Sequence, residues 1–157
     1  MDIPKHTLGL AGEYAVATEL CRRGVYAQLT LGNWKRTDLL VESHRRLLRV
    51  QVKAKQGRDW PGIRGIHGDD IVLVFVDYQH KSLMDRPDFY ILNADDWKRA
   101  VKKEMIDAGL VQRGEVSLDD EYVPTWKNGF VGWSVPASNL IPFKEAWERF
   151  PSSGASG

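Results

Sequence analysis

The sequence predicts an α/β fold in which helices flank a sheet, organised as one domain over residues 1–150. Three observations lead there. A helical segment near the N-terminus precedes three short strand-like runs. A β-branched apolar run, Ile71 to Val76, reads as a buried central strand. A second helical segment, Asp95 to Ala108, follows it. At 157 residues, 43% hydrophobic and 27% charged, the chain has the length and composition for one sizeable core.

Thr7 to Arg23 reads as the first helix, with Thr7 as its cap and Gly24 as its stop. Glu19 has Arg22 and Arg23 three and four residues further on, which marks a solvated face. Glu13 has Val16, Ala17 and Leu20 at helical spacing instead. A carboxylate in an apolar stripe is paired, protonated or bound to a cation, unless it sits at the stripe's edge and reaches water. The single cysteine, Cys21, reads as a small buried hydrophobe on this helix. One cysteine cannot form an intrachain disulfide, which suits a reducing cytoplasm.

Val25 to Leu31 reads as the first strand, ended by a turn at Gly32-Asn33. Thr37 to Glu42 and Leu47 to Ala54 read as the second and third, joined by Ser43-His44-Arg45-Arg46. An antiparallel hairpin centred between His44 and Arg45 pairs residues whose numbers sum to 89. Glu42 then faces Leu47, Leu40 faces Arg49, and Asp38 faces Gln51. Alternation puts Gln51 and Lys53 on one face with Asp38 beside them, provided no bulge intervenes. Val50, Val52, Leu39 and Val41 point the other way, into a core.

Gly57 to Asp70 is loop-rich, and Phe89 to Leu92 reads as a further strand. In the second helix, Trp97, Ala100, Val101 and Met105 share one side, and Gly109 is the stop. Gln112 to Lys127 reads as loop or edge structure, Phe130 to Val135 as a strand, and Phe143 to Phe150 as a short helix carrying Trp147. The tryptophans Trp97, Trp126, Trp133 and Trp147 are assigned to the core. His44, His67 and the acidic clusters Asp69-Asp70 and Asp119-Asp120-Glu121 read as solvated turns, caps and loops. The tail, residues 151–157, reads as disordered.

No apolar run is long enough to span a bilayer, the start lacks the pattern of a signal peptide, and no Cys/His grouping has zinc-site spacing. The expected location is cytoplasmic, with no membrane partner. The net charge of +1 is uneven. Trp34 to Arg64 holds nine Lys/Arg against three Asp/Glu, a local balance of +6, and the remainder carries −5. Such a basic region can neutralise phosphates, or it can be a solvated hairpin whose charges serve solubility. Trp34, Lys35 and Arg36 could contact a nucleic-acid backbone by stacking and ion pairing, with Lys55 and Arg58 as phosphate contacts just beyond.

Asp38, Gln51 and Lys53 are suited to metal-assisted hydrolysis of a phosphodiester. Mg²⁺ prefers hard oxygen ligands and keeps several waters. Asp38 would supply the anionic ligand, Gln51 its side-chain carbonyl, and Val52 its backbone oxygen. Lys53 could orient or deprotonate the attacking water, or hold the phosphate. Glu13 could bind the ion directly or through water. Mn²⁺ could substitute for Mg²⁺.

The order helix-Glu13, Asp38, Gln51-Val52-Lys53 resembles the PD-(D/E)XK nuclease superfamily. Gly12-Glu13, Thr37-Asp38-Leu39-Leu40-Val41 and Val50-Gln51-Val52-Lys53-Ala54 are similar to what Holliday-junction resolvases carry, where the last motif usually reads Glu-X-Lys. Mrr-type nucleases are similar in using Gln-X-Lys. The resemblance covers residues 8–92 and leaves 93–150 as an elaboration. It implies a restriction-endonuclease-like αβββαβ core with a mixed sheet, and a Mg²⁺-dependent endonuclease cutting DNA. Glu13, Asp38, Gln51 and Lys53 would form its catalytic set. Without an evident recognition domain, structure-selective cutting is expected, with RNA as an alternative substrate and a homodimer as a reasonable arrangement. The other reading keeps the fold as a catalytically impaired nucleic-acid-binding or assembly module, with Gln51 as the impairment.

Overall fold

Helix α1 runs over Lys5–Arg22 and begins directly after Pro4, not at Thr7, in the computed structural model, which describes residues 2–30 and 37–151. Its buried stripe is Leu8, Gly12, Val16, Glu19 and Leu20. Cys21 falls off that stripe and is exposed, contrary to its reading as a buried hydrophobe. Among the described residues no helix is long and apolar enough to cross a membrane.

Strands β1 (Tyr26–Leu29), β2 (Leu39–Ser43) and β3 (Arg46–Lys55) follow, then β4 (Asp59–Ile63), β5 (Ile71–Asp77) and β6 (Asp88–Asn93). Five of these make one mixed sheet in the order β1-β2-β3-β5-β6. The β3–β5 pair is parallel and the other neighbours are antiparallel. The hairpin has the register read from the sequence: Leu39 faces Val50, Leu40 faces Arg49, and Glu42 faces Leu47. His44 and Arg45 both take positive φ, 52° and 62°, as a two-residue type I′ turn requires.

Two apolar layers enclose the sheet. Val16 and Leu20 of α1 pack with Val50, Val52, Val72, Val74 and Val76 on one face. Leu73, Phe75 and Leu92 pack with Trp60, Trp97 and Met105 on the other. Covered on both sides, β5 is buried along its whole length, which is why it reads as a continuous apolar run.

The second helix, α2 (Ala94–Val101), continues as a π-helical stretch over Lys102–Asp107 and follows β6. Asn93 and Asp96 cap it reciprocally through each other's backbone N–H. The αβββαβ order would place a helix between β3 and its parallel neighbour. That connection instead carries β4, which pairs with β9 (Trp133–Pro136). Pro61 and Gly62 interrupt β4 and give its sequence the character of a loop, and the β4–β9 register shifts between Trp60 and Ile63. A small hairpin of β7 (Val116–Leu118) and β8 (Pro124–Trp126) fills the stretch expected to be loop or edge. Short 3₁₀ turns at Ala137–Phe143 and Trp147–Arg149 end the described chain. Pro151 accepts a hydrogen bond from buried Ser43; residues 152–157 of the expected disordered tail lie outside the described residues.

Glu19 is a correction of another kind. Its carboxylate is only 7% exposed and receives Arg22, Arg23 and, from the β5–β6 connection, Arg86. Arg86 also holds Glu145, so this network ties α1 to the C-terminal segment. The Arg86 hydrogen bond, with help from Arg23, overcomes the burial cost and lowers the Glu19 carboxyl to about 2. The arginine spacing that suggested a solvated face forms half of a buried ion cluster.

Candidate active site

Strand β3 outlasts β2. The β2–β3 ladder opens at Leu39 opposite Val50, while β3 continues to Lys55 against β5 alone. Asp38 stands at the fork. Its N–H donates to the Val50 carbonyl at 2.8 Å, although Val50 already partners Leu39. Two residues facing one make a β-bulge, which re-aims a side chain. The Asp38 carboxylate turns back onto β3, and Oδ2 accepts the Val52 N–H at 2.7 Å. Within a strand residue the N–H and C=O point to the same side, so the Val52 carbonyl also faces the fork. Just past β1, the Thr30 hydroxyl donates to the Thr37 carbonyl at 2.8 Å and the Thr30 N–H to the Asp38 carbonyl at 3.1 Å, holding the bulge in place.

Glu13 reaches the same point from α1. Its neighbour Gly12 makes this approach possible: a Cβ there would lie 2.8 Å from the Ala54 Cβ and 3.4 Å from Val52 Cγ1. Only glycine lets the helix settle this closely on β3. Burial, then a hydrogen bond to Asp38, then the Asp38 charge push the Glu13 carboxyl up to about 7. Two carboxyl groups that share a hydrogen bond hold a proton between them, and a cation can take that proton's place.

Gln51 and Lys53 are adjacent in sequence to the same backbone point but face elsewhere. Their side chains line a cavity of about 350 Å³ together with Arg64, His67, Asp119 and Glu121. Asp38 and Glu13 are not among its lining residues. The expected single face therefore divides into two pairs around β3: Glu13 with Asp38 at the fork, Gln51 with Lys53 in the cavity. The bulge at Asp38 is the physical reason, since it breaks the alternation that would have put Asp38 beside Gln51.

As cation ligands, the two carboxylates and the Val52 carbonyl are hard oxygen donors of the kind Mg²⁺ accepts. The Gln51 amide would have to reach them from the cavity side. Among the described residues no three Asp, Glu, His or Cys side chains gather into a ready metal site. An ion here would depend on Glu13, Asp38 and neutral oxygens.

Lys55 is no phosphate contact. It is 3% exposed, and Nζ donates to Asp77 at 2.8 Å, to the Gly57 carbonyl at 3.0 Å and to Gln79 at 3.2 Å. The ammonium also lies 4.7 Å from the centre of the Trp60 ring. All three ammonium protons are engaged inside the protein. Lys55 continues the face of Lys53, but there β4 and Trp60 cover the sheet. Arg58 is 91% exposed at its side chain, with Asp59 4.0 Å away. Trp34, Lys35 and Arg36 lie outside the described residues.

Two further groups at the cavity escaped sequence reading. Arg64 carried weight only as part of a charge balance, and His67 read as a solvated loop residue. The β3–β5 connection brings both to Lys53, a proximity that no fixed spacing encodes. The clustering of Gly62, Gly65 and Gly68 around them was the available signal.

No family model matches the chain, and no curated protein matches it. Among solved structures the chain is similar to a bacterial homing endonuclease, I-Ssp6803I, with a TM-score of 0.47 and 18% identity over 92% of this chain and 90% of that one.

Proposed function

We propose that the chain is a divalent-metal-dependent endonuclease of the PD-(D/E)XK class that hydrolyses phosphodiester bonds in DNA. The observation that carries this reading is the Asp38 carboxylate turned onto the Val52 N–H of a Gln-X-Lys strand, at the point where Gly12 lets α1 bring its neighbour Glu13 against β3. A structural protein gains nothing from forcing two carboxyls together in a half-buried place. A cation-binding protein does, because the ion repays the repulsion.

In this reading Asp38 and Glu13 hold the cation, with the Val52 carbonyl and the Gln51 amide as neutral ligands. A hard divalent ion, when bound, supplies Lewis-acid charge to the phosphoryl oxygens and lowers the pKa of its water. Lys53 holds a non-bridging phosphate oxygen or takes the proton of the attacking water. Mg²⁺ is the expected ion and Mn²⁺ a substitute. The basic stretch around β3 draws the strand in. Cutting guided by DNA structure more than by sequence is the expected mode, and a homodimer would let two sites address two strands.

The test is cleavage of branched, single-stranded and duplex DNA, and of RNA, with Mg²⁺, Mn²⁺ or chelator. Metal-dependent cleavage lost in both Asp38→Ala and Lys53→Ala supports the reading. Cleavage that persists in both variants sinks this site, and RNA cut in place of DNA redirects the substrate. One observation favours the catalytically impaired binding module instead: among the described residues no third acid, histidine or cysteine joins Glu13 and Asp38, and Gln51 adds no charge. Binding without cleavage under every metal condition would select that module.

A further inference from the structure

The cavity beside Lys53 is lined by two cations and two acids whose partners differ. Asp119 and Glu121 are among the residues lining it, yet both are already engaged. Asp119 Oδ1 accepts the N–H groups of Glu121 and Val123, each at 2.9 Å, and so shapes its own loop. Glu121 Oε2 lies 3.3 Å from His67 Nδ1 across the cavity mouth. Among the described residues, Lys53 and Arg64 make no ion pair, although the other three cations within β3 do: Arg46 with Asp69, Arg49 with Asp70, Lys55 with Asp77. Two cations without ion pairs therefore face a space of about 350 Å³ in which the two carboxylates have partners of their own.

The backbone that presents Arg64 is built to hold it there. Ile63 and Ile66 are buried on either side, at 4% and 3% exposure. Gly65 takes φ +88°, and a Cβ on it would come within 1.9 Å of Trp97 Nε1. The chain crosses the Trp97 ring so closely that only glycine fits, and this fixed ledge carries Arg64, exposed, at the cavity lining. A guanidinium so placed is a planar, permanently charged fork suited to a phosphate.

We propose that this cavity is a phosphate-binding subsite, in which Arg64 holds a phosphodiester of the nucleic-acid strand next to the one that Lys53 addresses. The assignment of the strand rests on the endonuclease reading; the assignment of phosphate rests on the cavity. Arg64 is a substrate-binding residue here, acting on affinity and register and not on the proton transfers of hydrolysis. A free phosphate or a mononucleotide offers the same chemistry, so the source is an arm of the test.

The experiment measures binding in chelator, where no cleavage occurs. Fluorescence anisotropy of labelled single-stranded and duplex DNA is recorded against salt for the wild type, Arg64→Ala, Arg64→Lys and Arg64→Glu. The expected result is about a tenfold loss of affinity in Arg64→Ala, a salt slope smaller by about one, partial recovery in Arg64→Lys, and a larger loss in Arg64→Glu. Melting temperatures equal to the wild type separate this from misfolding, since Arg64 is exposed. Unchanged affinity and slope in both Arg64→Ala and Arg64→Glu overturn the subsite. Stabilisation by inorganic phosphate or a mononucleotide, with no oligonucleotide binding, overturns the strand assignment. Binding that depends on Arg64 without cleavage by any metal would leave the subsite standing while the endonuclease reading fell. Cleavage that depends on Asp38 but ignores Arg64 in both KM and binding would do the reverse.

Discussion

Glu13 and Glu19 lie on the same helix, over the same sheet, fewer than two helical turns apart. Glu19 is met by Arg23 and Arg86 and is drawn down to about 2. Glu13 is met by burial and by Asp38 and is driven up to about 7. The difference lies in the partners. A buried acid surrounded by guanidinium groups is complete, and its work is to pin α1 to the β5–β6 connection and the C-terminal segment. A half-buried acid beside another acid is incomplete until a proton or a cation arrives. One is an anchor, the other a binding site in waiting.

Removing either side of the incomplete pair's machinery gives the largest expected effect. Asp38→Ala and Lys53→Ala should each cut the cleavage rate by about 10²–10⁴-fold while leaving the melting temperature within a few degrees of the wild type. Initial rates on supercoiled and branched DNA measure this. Breaking the complete site should do the opposite. Glu19→Ala leaves Arg23 and Arg86 facing each other with only Glu145 between them. It should lower stability by about 3 kcal/mol in urea unfolding, with metal affinity of the folded fraction unchanged.

The two acids should also respond to pH with opposite sign. Glu19 has a folded value far below its ordinary 4.5. Its contribution is therefore full above about 4.5 and is lost as pH falls towards about 2. Glu13 has a folded value far above its ordinary 4.5. The metal-free protein therefore binds that proton more tightly than the unfolded chain does, and loses stability as pH rises from about 4.5 through about 7. Thermal melts in chelator should show this decline, and Glu13→Gln should flatten it. Smallest in size is Gln51→Glu, which should tighten Mn²⁺ binding several-fold if the Gln51 side chain reaches the fork, because affinity follows the charge count of the ligands. No change would leave Gln51 to the cavity alone.

Much of this was legible in the chain. The hairpin register followed from a turn centred on His44 and Arg45, because β-sheet pairing is arithmetic once the turn is fixed. The apolar period of α1 and the unbroken β-branched run of β5 carried their own assignments. What could not be read were the places where tertiary partners decide. The bulge at Asp38 depends on a second hydrogen bond to Val50, and alternation has no term for it. Lys55 looks identical to Lys53 in sequence, and only the crossing of β4 with Trp60 turns it into a buried ion pair. Glu19 has a surface-like spacing of arginines, and its third partner comes from residue 86, beyond any local window. Arg64 reached the cavity by the same kind of long-range closure.

The claim that Glu13 and Asp38 form a cation site is tested most directly by titrating Mn²⁺ calorimetrically at pH 6 in two buffers of different ionisation enthalpy. With Glu13 protonated there, binding to the wild type should release a proton, seen as a buffer-dependent heat. Glu13→Gln should bind without that release, and Asp38→Ala should not bind. Wild-type protein that takes up no Mn²⁺, or binds it with no proton release and no dependence on Asp38, would contradict the site.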